Sequence, residues 1–148
     1  MDLDQFNQIV FEHRNSMIVI GCIILFVCIV AMLVIEFYVR GTLECKYFQL
    51  GIIKISPTLF MLIPMIVTLV YFSVVIVNCN KDISTSAYET YIGICTYESE
   101  SVNLKEAELS IYVGKGHEII PHGENYGKCI YSKHSKVIVY WEPLNTDI

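Results

Sequence analysis

The chain has 148 residues, 54% of them hydrophobic, and a formal net charge of -5. That apolar share is too large for one water-soluble domain, and the excess lies between Met17 and Val77. The acidic balance, with no clustered Lys and Arg, excludes a nucleic-acid surface, which needs grouped cations against phosphates.

Residues 1–16 form a polar N-terminal tail with Arg14 as its one base. From Met17 to Ile35 nineteen consecutive residues carry no charge. At 1.5 Å per residue a helix of that length covers roughly 28 Å, close to a bilayer's hydrocarbon thickness. A helix also satisfies its own backbone N–H and C=O groups in lipid. The sequence therefore predicts a first transmembrane helix over 17–38, with Glu36 marking the boundary. The run is longer than the core of a secretory signal, and no A-x-A-like site follows, which argues against a cleaved leader.

A connecting loop is predicted over 39–55, and a second transmembrane helix over 56–78. Its uncharged run is Ile55 to Val77. Ser56 and Pro57 suit an N-cap and a first-turn proline, and Pro64 should kink the interior by removing a hydrogen bond. Neither span contains G-x-x-x-G, so no helix dimer is indicated. The loop holds Arg40, Lys46 and Lys54, whereas only Arg14 and Lys81 lie close on the outer flanks. The positive-inside bias then puts the loop in the cytoplasm and both termini outside a plasma membrane.

Residues 79–87 read as a short polar linker, and 88–148 as a small all-β domain. Alternation rich in Tyr, Val and Ile predicts strands at 88–97, 109–113, 118–120, 126–131 and 136–141, with a polar loop over 98–106. The fold class is thus a membrane protein: a two-helix hairpin followed by an SH3-like or OB-like barrel of about five strands.

Gly93-Ile94-Cys95-Thr96-Tyr97 and Gly127-Lys128-Cys129-Ile130-Tyr131 repeat a G-x-C-x-Y pattern, which puts each Gly, Cys and Tyr on one strand face. If the two strands pair, Cys95 and Cys129 are a candidate disulfide, suited to an oxidising exterior. The alternative is two buried free thiols.

Four histidines raise a metal site, but His117, His122 and His134 fall in Gly- and Ser-rich turns without paired-ligand spacing, so neither metal nor cofactor is expected. Gly114-Lys115-Gly116 lacks the helix and Ser or Thr of a phosphate loop. Ser132 and Ser135 flank His134 without a nucleophile elbow, and enzymatic chemistry is not expected.

What remains is aromatic surface. Eight Tyr and Trp residues follow Ser86, more than a small barrel can bury. Tyr112, Tyr126, Tyr140 and Trp141 are the candidate anchors for a protein partner, since such rings give contact area at low entropy cost. From Lys81 onward six lysines face ten acids, a net charge of -4, which favours a basic partner. The function expected is non-enzymatic protein binding, as an immunity protein or an accessory subunit of a membrane complex. The alternative is a sensor whose barrel holds a small ligand while the helices oligomerise or transmit the signal. No family's diagnostic motif matches residue by residue.

Overall fold

A computed structural model describes residues 2–41, 48–50, 53–55, 57–98, 101–113 and 120–144. Helix α1 spans Leu3–Gly41, strands β1 and β2 are Phe48–Leu50 and Ile53–Ile55, and helix α2 spans Pro57–Thr85. Strands β3 to β7 follow at Tyr88–Glu98, Ser101–Leu104, Leu109–Tyr112, Gly123–Ser132 and Ile138–Pro143. Two compact units result: one holds Met17–Val74, the other Met1–Ser16 with Val75–Ile148.

In the first unit, both helices are long and apolar enough to cross a membrane. Side chains such as Phe26, Leu33, Val67 and Val70 are exposed. Gly21 lets the Phe72 ring approach, because a Cβ there would meet it at 3.0 Å. Pro64 lies inside α2 as the sequence indicates. Within the predicted connecting loop, β1 and β2 pair antiparallel, Phe48 opposite Ile55.

In the second unit the helix ends run further than the sequence suggests. The predicted tail is helical from Leu3, capped by Asp2, whose carboxylate accepts the Leu3 N–H at 2.7 Å while Gln5 Oε1 accepts the Asp2 N–H at 3.2 Å. The predicted linker is helical as far as Thr85. Ser86 at φ 48 turns the chain out of α2, and the Ala87 N–H bonds back to the Asp82 carbonyl at 3.3 Å, a Schellman-type stop.

The five strands form one antiparallel sheet in the order β5-β4-β3-β6-β7. Strands β3 and β6 pair from Tyr88 opposite Ser132 to Tyr97 opposite Gly123 and make its spine. The expected closed barrel is corrected to an open sheet. Among the described residues its edges meet only at a parallel bridge between Tyr112 and Val137, where the Tyr112 N–H donates to the Lys136 carbonyl at 2.8 Å. Edge strand β5 pairs over its four residues with β4, and of these it is the last, Tyr112, that bridges to Val137 just before β7. Strand β4 lies in the stretch read as a loop, and 118–119 of the predicted third strand are outside the described residues.

Each face of the sheet has its own apolar cluster. One gathers Cys95, Val102, Leu104, Ile111, Cys129, Ile138 and Trp141 with their neighbours. The other joins Val137, Val139 and Ile130 to Ile9 and Val10 of α1 and Cys79 of α2. A bulge serves both: Ile130 pairs with Tyr140 and Tyr131 with Ile138, so the extra residue Val139 turns toward the helix ends.

Candidate functional site

Gly93 and Gly127 face each other across β3 and β6. A Cβ at Gly93 would meet the hydroxyl end of the Tyr91 ring, and one at Gly127 would meet the Trp141 ring and the Glu142 backbone oxygen. This pairing decides the fate of the cysteines. In an antiparallel pair centred on the glycines, residues two places further on move apart, so Cys95 stands opposite Asn125 and Cys129 opposite Tyr91. Four ladder positions separate them, about 13 Å along the strands, well beyond disulfide reach. Both are free, fully buried thiols. Burial pushes Cys95 up to about 11, and burial followed by the charge of Cys95 pushes Cys129 up to about 12, so both stay protonated and inert.

With Gly93, Cys95 and Tyr97 turned inward, Ile92 and Ile94 fall on the other face beside Tyr126. Ile92 is 54% exposed and Tyr126 42%, in the centre of the sheet and not at a loop tip. Charges around them are matched within the chain. Lys128 stands between Ile92 and Glu142, and Lys105 Nζ is 3.0 Å from Glu124 Oε1.

The four predicted anchors do not form one patch. Tyr126 lies on this surface. Tyr140, half-buried, stands opposite Ile130 further along it. Tyr112 lies on the opposite edge strand with its ring centroid 5.7 Å from that of His13. Trp141 is 7% exposed and belongs to the core, against Gly127 and opposite Cys129. Sequence reasoning missed Ile92 and Ile94, although the inward alternation of Gly93, Cys95 and Tyr97 implies them.

A second polar centre also escaped it. Asp82, fully buried near the end of α2, takes hold of the β6–β7 turn. Its Oδ1 accepts the His134 N–H at 2.9 Å, and its Oδ2 accepts the Ser135 N–H at 2.6 Å and the Ser135 hydroxyl at 2.7 Å. The Ser132 hydroxyl lies 2.7 Å from that of Ser135 and accepts the Val137 N–H at 2.8 Å. Since Ser135 donates to Asp82, Ser132 donates to Ser135, and the bonds run in one direction toward the carboxylate. This arrangement fastens a turn; His134 contributes its backbone. His122 stacks on Tyr97 with centroids 4.5 Å apart. His117 and the Gly114-Lys115-Gly116 turn lie outside the described residues.

No protein-family model, no curated protein and no solved structure matches the chain.

Proposed function

We propose that the chain is a non-enzymatic integral membrane protein of two spans whose sheet surface around Ile92, Ile94 and Tyr126 binds a protein with a basic rim. The carrying observation is the exposure of Ile92 and Tyr126 on the central strands, where a solitary domain would place polar residues. A protein is favoured over a lipid surface by charge. Lys105 and Lys128 are engaged with or face acids of the same sheet, and the chain from Lys81 onward has a net charge of -4. Anionic lipid is repelled by that net negative charge, whereas a basic protein is drawn to it. An immunity protein or an accessory subunit has this requirement. The bases Arg40, Lys46 and Lys54 between the apolar runs support an extracytoplasmic sheet and a plasma-membrane location.

The test is capture from intact cells with an impermeant cross-linker, followed by purification in mild detergent. The wild-type chain should hold one partner whose retention falls as salt rises. Ile92→Glu and Tyr126→Ala should each lower retention about thirtyfold, as for a binding anchor worth about 2 kcal/mol. Retention unchanged in the double variant would remove this face from binding. Capture only after permeabilisation would overturn the outward placement.

A further inference from the structure

We infer that Arg14, Asn15 and Asn80 form a recognition site for the phosphodiester of a membrane phospholipid, an inference that rests on the two-span reading above. Arg14 of α1 donates through Nη1 to Asn80 Oδ1 of α2 at 2.7 Å and through Nη2 to Asn15 Oδ1 at 3.3 Å. Its guanidinium carbon lies 4.3 Å from the centroid of the Phe11 ring, which holds the group flat. Both asparagine oxygens are thereby consumed, and each amide keeps its NH2 group to offer. The two asparagines are exposed, and Arg14 is half-buried.

The cluster thus presents donors and one positive charge. No ion pair joins Arg14 to a carboxylate among the described residues. The nearby acids are engaged elsewhere: Glu12 Oε1 accepts from Gln8 at 2.9 Å, and Asp82 accepts from the β6–β7 turn. Arg14 Nε is enclosed with no acceptor, and each Nη nitrogen has a second hydrogen beyond its bond to asparagine, so the guanidinium has bonding capacity that the chain does not use. A donor-only cationic cluster fits an anionic oxygen.

Position identifies which anion. Arg14 lies three residues before the uncharged run that begins at Met17, and Asn80 three residues after the run that ends at Val77. Along a helix that is about 4.5 Å outside each apolar run, the depth at which lipid phosphates begin. Arginine suits the role, because its planar fork engages two phosphate oxygens at once.

The experiment uses the full chain, delipidated in detergent and then supplied with phosphatidylcholine, phosphatidylglycerol or a diacylglycerol of the same acyl chains. Bound lipid is counted by native mass spectrometry. The wild type should retain both phospholipids and release the diacylglycerol, and millimolar inorganic phosphate should leave the lipid in place. Arg14→Gln should lower phospholipid retention about tenfold, as expected for losing a charge-assisted hydrogen bond. Asn80→Asp keeps Arg14 bonded while neutralising it and should produce the same loss without loosening the helices. Near-UV circular dichroism confirms that each variant is folded. Wild-type levels of phospholipid retention in Arg14→Gln or in Asn80→Asp, retention of diacylglycerol equal to that of the phospholipids, or displacement by free phosphate would each overturn the inference. Release of the wild type from membranes by alkaline carbonate would instead overturn the two-span reading.

Discussion

A fully buried carboxylate is costly unless its oxygens are satisfied, and Asp82 is satisfied almost entirely by one short turn. No ion pair joins it to a cation among the described residues. The turn depends on it in return. The N–H groups of His134 and Ser135 have the carboxylate as acceptor, and Lys136 beside them adopts a left-handed φ of 55. Replacing Asp82 with Ala removes the acceptor from two amides and one hydroxyl in a place water does not reach. Each orphaned buried donor costs about 1–3 kcal/mol, and relaxation of the turn should leave a net loss of about 3 kcal/mol. Asp82→Asn should lose nearly as much, because its NH2 group would oppose a donor. Thermal unfolding in detergent measures the loss, and hydrogen exchange should localise it to residues 134–137. An Asp82→Ala protein as stable as the wild type would show that the turn is held by something else.

At the level of elements, the β3–β6 pair depends on two facing glycines. A methyl group at Gly127 would collide with the Trp141 ring and, at 2.5 Å, with the Glu142 carbonyl oxygen. The oxygen belongs to the backbone of β7 and cannot rotate away. Gly127→Ala should therefore push β7 off β6 at a cost of about 1–3 kcal/mol, with Trp141 emission shifted to the red as its ring gains water. An unchanged emission maximum and melting temperature would refute the close packing. The same glycines show how far the sequence could be read. Two uncharged runs give the helices, and alternation gives β3, β6 and β7, because those signals are long. Strand β4, Ser101–Leu104, is four residues with two polar ones, and its pairing depends on β3 already being present. The G-x-C-x-Y repeat is legible, but register is not: pairing Gly with Gly instead of Cys with Cys is set by the Trp141 ring, contributed from a third strand. Cys79, Asp82 and the first turns of α1 fall in stretches whose composition reads as a polar linker and tail. Yet Phe6, Ile9, Val10 and His13 recur at helical spacing; the first three pack with Val137 and Val139 in the second cluster, and His13 lies beside the Tyr112 ring.

For the whole molecule, the buried titratable groups of the sheet share one direction of shift. Burial, and after it the Glu89 carboxylate that accepts its hydroxyl at 3.0 Å, pushes Tyr131 up to about 12. Burial, with the charge of Asp82 second, pushes Tyr88 up to about 12, while its hydroxyl donates to Asn7 Oδ1 at 2.5 Å. Cys95 and Cys129 rise to about 11 and about 12. All four are neutral in the folded chain at pH values where an unfolded chain has begun to ionise, since their ordinary values are 9.0 for the thiols and 10.0 for the phenols. The stability they contribute is complete below pH 9 and is lost as pH rises toward 12, because there the unfolded state releases protons that the folded state retains. The second unit should thus melt at progressively lower temperature between pH 9 and 12 while helical ellipticity from the apolar runs persists. Tyr131→Phe removes one of the titrating groups together with its bond to Glu89, so that variant should be less stable near neutrality yet lose less on going alkaline. Near-UV circular dichroism followed with temperature at several pH values measures both slopes. A melting temperature flat across that window, or a Tyr131→Phe slope as steep as the wild type, would mean that these side chains are solvated and that the sheet does not enclose the core described here.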